Sequence, residues 1–100
     1  MKRTKFDKVV HVSDFEYSEE TAEPILEDGV LQIADDAFAA YKCPCGCGRV
    51  VMLPLTPKIR YGWKYKEDGS KVTLHPSVFS TGFPCRSHYF IVNNEIHWCG

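Results

Sequence analysis

Three cysteines within five residues constrain the fold of this chain more than any other feature. The segment 43–48 reads CPCGCG and places Cys43, Cys45 and Cys47 at alternate positions. In a straight strand the outer two would lie about 13 Å apart, because each residue advances the chain by about 3.3 Å. They could not then share one zinc ion, since each Zn–S bond is about 2.3 Å long. Either the segment curls or one thiol lies outside the site.

The residues between the cysteines favour curling. Pro44 fixes its own φ and keeps Cys43 extended. Gly46 and Gly48 can adopt the positive φ that a tight reversal requires. We therefore expect a turn that directs backbone N–H groups at the thiolates.

A second stretch, PCRSHYFI at 84–91, supplies another cysteine and a histidine separated by two residues. A turn of this length can point both side chains at one ion, and two thiolates from the first stretch would complete a four-coordinate site. The sequence thus predicts one Zn²⁺ bound by a subset of Cys43, Cys45, Cys47, Cys85 and His88. It leaves open which of the five is not a ligand.

Composition indicates an ordinary globular protein. The chain has 100 residues, 44% of them apolar and 25% charged, and its net charge is -1. This length predicts a single domain, and the net charge does not indicate a nucleic-acid partner. Neither a signal peptide nor a membrane span is recognisable, so we expect a cytoplasmic protein. Disulfides are rare in that compartment, and five cysteines cannot all pair.

Other uses of the thiols stay open. An iron–sulfur cluster also takes thiolate ligands, and free cysteines need no metal. Thiol redox chemistry is disfavoured because the sequence has no C-x-x-C pair. Zinc is the preferred interpretation.

The pattern along the chain predicts a mostly β, single-domain, zinc-stapled sheet and hairpin fold with little helix. Residues 1–24 are expected to form a basic arm, interpreted as a solvated tail, a strand near 5–12 and an acidic surface segment with at most one helical turn. Residues 25–100 are expected to form the zinc-binding β domain. The segment 34–42 is either a short helix or a loop and a strand. Further predicted strands are 29–33, 49–55 (buried on both faces and ended by prolines), 61–66, 71–75 and a last hairpin of 88–92 and 95–98.

The last hairpin allows a prediction of register. Asn93-Asn94 suits a two-residue type I′ loop, because asparagine tolerates positive φ. Ile91 then faces Ile96 in the core. Cys99 then faces His88 on the other side of the hairpin and lies beside the metal cluster. The alternative is that Cys99 frays with the C-terminus, since terminal residues are often poorly ordered.

The remaining candidates for chemistry are weaker. His75 and His97 are more typical of surface positions than of ligands. Ser77 and Ser87 are interpreted as loop hydroxyls, with no Ser–His–acid partnership recognisable in the sequence. No HExxH motif supplies a catalytic zinc site together with its base.

The boxes CPCGCG, VTLHPS and PCRSHYFI, in this order over residues 25–99, resemble a small bacterial family that was formerly of unknown function. The family is found beside bacterial ubiquitin-like conjugation genes, and some members are described as peptidases acting on the ubiquitin-like protein. The resemblance implies the same five metal-binding residues and a site region that includes Pro76 and Ser77. Many members have histidine where this chain has Tyr41.

Two functions follow as hypotheses. The first is a zinc-dependent peptidase that processes or removes a ubiquitin-like protein, with a loop residue such as Glu27, Asp28 or His75 as base. The second is a non-catalytic, structural-zinc module for protein interaction, which the abundance of thiolates favours because closed zinc sites are structural.

Overall fold

The structure is a computed structural model that describes residues 2–99, and these form one curved, eight-stranded sheet without a helix. Strands that are consecutive in the chain are neighbours in the sheet, as expected for a chain rich in short apolar runs and tight turns. No helix that could span a membrane occurs between residues 2 and 99. The strands are β1 (Lys8–Val12), β2 (Val30–Ala34), β3 (Phe38–Lys42), β4 (Val50–Thr56), β5 (Trp63–Asp68), β6 (Lys71–Phe79), β7 (His88–Val92) and β8 (Glu95–Trp98).

The N-terminal arm joins the two ends of the curled sheet. Lys5 forms a bridge with Glu95, and the Ile96 N–H donates to the Thr4 carbonyl over 2.8 Å. The Trp98 indole also donates to the Arg3 carbonyl at 2.9 Å. The interpretation of this arm as a solvated tail was therefore wrong, because its backbone completes the ladder beside β8.

The core lies inside the curl. Alternate residues of each strand point inward, which is the normal period of a half-buried strand. Tyr41 and Tyr89 are fully buried, and their hydroxyl groups are hydrogen-bonded over 2.7 Å. The aliphatic part of this core is Leu31, Ile33, Val51, Leu53, Leu55, Val72, Leu74, Val78, Ile91 and Ile96.

The predicted last hairpin is confirmed. Ile91 pairs with Ile96, and both are buried. Asn93 and Asn94 have φ of 49° and 65°, as a type I′ loop requires. The Cys99 N–H donates to the His88 carbonyl at 2.9 Å, so the expected pairing extends to the last described residue.

Strand β4 differs from its prediction in two ways. It is buried on one face only, since Met52 is 39% exposed. It also continues through Pro54 to Thr56. Every second residue of β4 bonds to β3, and the Leu55 N–H donates to the Ala37 carbonyl. Pro54 therefore turns its nitrogen away from β3, where no ladder bond is lost.

The acidic segment forms no helical turn. Tyr17 and Pro24 instead form an isolated bridge that closes a small loop. Phe15 is buried in a second cluster with Ala34 and Ala40 on the outer side of β2 and β3, so this segment is partly core. The undecided stretch 34–42 is a loop followed by a strand.

Candidate functional site

Four of the predicted metal ligands converge. The Sγ atoms of Cys43, Cys45, Cys47 and Cys85 all lie within 4.8 Å of one another. Cys43 Sγ is 3.5 Å from Cys45 Sγ and 3.8 Å from Cys85 Sγ. Sulfurs at the corners of a tetrahedron around zinc would be about 3.8 Å apart, given a Zn–S bond of about 2.3 Å. The donor set therefore fits a tetrahedral thiolate-bound metal ion.

The first stretch curls as its glycines suggest. Gly46 and Gly48 have φ of 92° and 82°. The Gly46 N–H donates to the Cys43 carbonyl at 3.1 Å, which closes the turn. The Cys43 N–H donates to the Arg49 carbonyl at 2.7 Å, and this bond holds the two ends of the loop together at the end of β3. The curl brings all three thiols of the segment to one point.

The environments of Cys43 and Cys85 differ. Burial raises the pKa of the Cys43 thiol to about 12. A hydrogen bond from Ser87, over 3.2 Å, lowers the pKa of the exposed Cys85 thiol to about 6. The Cys85 thiol therefore has a lower pKa than the buried Cys43 thiol. A cation would offset the cost of ionising the buried Cys43, because a nearby positive charge favours the thiolate.

The fifth predicted ligand, His88, makes a different contact. Its Nε2 atom lies 3.0 Å from the hydroxyl oxygen of Ser77. The ring stacks on Phe79 with 4.8 Å between centroids and 16° between planes. Within residues 2–99, Ser77 is its one side-chain hydrogen-bond partner. The group of side chains close enough to hold a metal ion contains cysteines alone among these residues.

A bulge in β6 brings Ser77 to His88. Leu74 pairs with Ile91 and Val78 pairs with Tyr89, so three residues of β6 lie opposite one residue of β7. Bulges of this kind redirect side chains and are frequent beside active sites. Ser77 and Phe79 thereby share the outer face of the sheet with His88.

The sequence interpretation missed the serine–histidine pair, because the bulge cannot be recognised in a local pattern. The only signal was the resemblance, which included Pro76 and Ser77 in the site region. His75 is exposed at the start of the bulge, and His97 bonds to Glu95 at 3.1 Å. Neither belongs to the thiol cluster.

Cys99 lies near the cluster without joining it. It lines a common cavity with Cys45, Cys85 and His88, in agreement with the register argument. Ser87, on the same rim, bridges the two cysteine stretches, since Cys43 Sγ donates to its hydroxyl at 3.7 Å. The thiol cluster and the serine–histidine pair are thus parts of one region, joined by residues 85–88.

Comparison with known proteins supplies the family. Residues 17–99 match the model of the family described as bacterial ubiquitination-like system serine protease (BubE). The match covers most of the chain, and the chain belongs to this family. No curated protein and no solved structure matches it.

Proposed function

We propose that the chain is a serine peptidase that cleaves a ubiquitin-like protein, either at its C-terminal extension or from its conjugates. The carrying observation is the 3.0 Å hydrogen bond between Ser77 Oγ and His88 Nε2. A serine hydroxyl is a weak nucleophile until an adjacent base removes its proton, and this distance is within the range of such a pair. The serine protease family to which the chain belongs supports the same assignment.

The proposed chemistry is acyl transfer. Ser77 Oγ attacks the scissile carbonyl while His88 Nε2 takes its proton, and His88 then passes that proton to the departing amine. Water, with His88 as base, hydrolyses the acyl-enzyme and regenerates the free hydroxyl of Ser77. Stacking on Phe79 holds the imidazole plane in place, a function that a carboxylate fulfils in the Ser–His–Asp arrangement.

The proposed metal is Zn²⁺, and its role is structural. Four thiolates satisfy the usual tetrahedral coordination of zinc, whereas catalytic sites keep a position open for water. A zinc-dependent peptidase mechanism is therefore not the preferred form of this activity. Cys43, Cys45, Cys47 and Cys85 would hold the ion, which supplies folding energy when bound.

The proposed zinc site also positions the catalytic base. Cys85 precedes His88 by three residues, and Ser87 between them contacts Cys85 and Cys43. Fixing Cys85 to the Cys43 loop fixes the start of β7. The non-catalytic interaction module, our second hypothesis, shares this zinc site and differs only in giving Ser77 no role.

The deciding experiment uses the ubiquitin-like protein of the same conjugation system, extended at its C-terminus. The intact chain should cleave it, and Ser77→Ala should not, although its melting temperature and zinc content stay the same. Cleavage by Ser77→Ala at the normal rate would remove the peptidase assignment to this serine. No cleavage by the intact chain would favour the interaction module.

A further inference from the structure

A slot one strand wide opens between β4 and β6. Strand β5 lies between them, pairing with β4 at Leu55–Trp63 and with β6 at Lys64–His75. It begins only at Trp63. Beyond that point β4 and β6 continue without a strand between them, about 9–10 Å apart, because neighbouring strands are spaced by about 4.7–4.9 Å.

Both walls of the slot present unpaired backbone groups. On the β3 side, the Cys43 N–H donates to the Arg49 carbonyl and the Leu55 N–H donates to the Ala37 carbonyl. By alternation, Val50 and Met52 direct their N–H and C=O groups into the slot. On the other wall, Val78 and its alternate neighbour Ser80 face β7. The Phe79 N–H therefore faces the slot. Unpaired strand edges are templates for another chain.

The slot is also a cavity, and Trp63, one of the residues that line it, has an unused hydrogen-bond donor. Its volume is about 350 Å³, and its lining consists of segments 50–53 and 78–83 together with Trp63. The Trp63 indole nitrogen is buried and has no hydrogen-bond partner among the described residues. A buried N–H without a partner costs free energy, so a ligand carbonyl would be favoured there.

From these features we propose that the slot binds the substrate in an extended conformation. The bound segment would form an additional strand between β4 and β6, in line with β5. This deepens the proposed peptidase function and rests on it. A chain paired with the β6 edge at Phe79 lies one strand spacing from the strand that carries Ser77, which brings its carbonyl groups within reach of the nucleophile. The occupant is thus the segment with the scissile bond, held by main-chain hydrogen bonds and by apolar walls.

The first test is binding of a short synthetic peptide, taken from the C-terminal junction of the ubiquitin-like protein, to Ser77→Ala. A series carries one N-methyl group at successive backbone amides, which removes one donor and leaves the side chains intact. Affinity should fall about two- to tenfold at alternate positions and change little between them, because a strand bonds through every second residue. An equal effect at all positions, no effect at any position, or no binding of the unmodified peptide would contradict the proposal that the slot binds the substrate as a strand.

The second test is Trp63→Phe, which keeps an aromatic ring and removes the donor. We expect KM for the extended protein to rise severalfold while kcat is unchanged. Tyr65→Phe on the same strand is the matched control, since its hydroxyl bonds Asp36 away from the slot over 2.9 Å. An unchanged KM, or the same change in both variants, overturns the slot.

The two proposals fail differently. Labelling of Ser77 by a small fluorophosphonate tests the catalytic pair without using the slot, and Trp63→Phe should label at the normal rate. If Trp63→Phe labels normally and its KM is unchanged, the proposal of substrate binding in the slot fails and the peptidase proposal stands. If the intact chain is not labelled but N-methyl groups weaken peptide binding at alternate positions, binding in the slot stands and the assignment of Ser77 as nucleophile fails.

Discussion

Ser77 Oγ and His88 Nε2 lie 3.0 Å apart on the outer face of the sheet, where a β-bulge carries the serine to the first residue of the neighbouring strand. The first prediction concerns this pair. Ser77→Ala and His88→Gln should each lower kcat/KM on the extended ubiquitin-like protein by about 10⁴-fold or more, because a nucleophile and its base act as a unit. A discontinuous cleavage assay on gels measures this.

Ser70→Ala is the matched control for the nucleophile. Ser70 lies in the exposed turn between β5 and β6, and its known contact uses its backbone carbonyl, which the substitution keeps. Its activity should equal that of the intact chain. Full activity in Ser77→Ala or in His88→Gln would contradict the catalytic pair.

The second prediction separates serine from metal catalysis. A fluorophosphonate should modify Ser77 and abolish cleavage, whereas brief exposure to a chelator should leave cleavage intact, because four thiolates close the metal site. Mass spectrometry of the labelled peptide locates the modification. Immediate loss of activity with chelator, while the protein remains folded, would instead support a catalytic metal.

The third prediction is one zinc ion per chain. Cys47→Ser should lower the zinc content of protein purified without chelator, since hydroxyl replaces a thiolate ligand and the exposed site leaves no cavity. Cys99→Ser, outside the thiol group, should keep one zinc ion. Elemental analysis of both variants checks this, and equal loss from both would assign the metal to another set of ligands.

How far the sequence predicts this structure depends on how far apart in the chain the interacting residues lie. The thiol cluster was predicted because its ligands lie within two short stretches whose glycines and proline determine the curl. The last hairpin was predicted because a two-residue loop fixes its register. The pairing of Ser77 with His88 was not, since it depends on a bulge that adds residues to one strand. The slot was also unpredictable, because it results from the late start of β5 relative to β4.

The fourth prediction is that the metal supports the fold. Removing zinc with a strong chelator should lower the melting temperature by roughly 10 °C or more, because a domain of this size shifts by about 4–8 °C for each 1 kcal/mol and the ligands assemble only in the folded state. The melting temperature of Cys99→Ser should fall by the same amount when zinc is removed. A melting temperature that stays constant after the metal is shown to be gone would rule out a structural role.

The last prediction concerns Tyr41, which lies two residues before the first cysteine of the thiol cluster. Its ring is fully buried, and burial raises the pKa of its hydroxyl well above the usual value, so it stays protonated in the core and cannot serve as a base. Its partner is the Tyr89 hydroxyl at 2.7 Å. Tyr41→Phe should lower the free energy of unfolding by about 1 kcal/mol and leave kcat/KM unchanged. The double change with Tyr89→Phe should cost less than the sum of the single ones, because the two groups share one bond. Denaturant unfolding and the cleavage assay measure the two effects, and a loss of activity without a loss of stability would give Tyr41 a catalytic role.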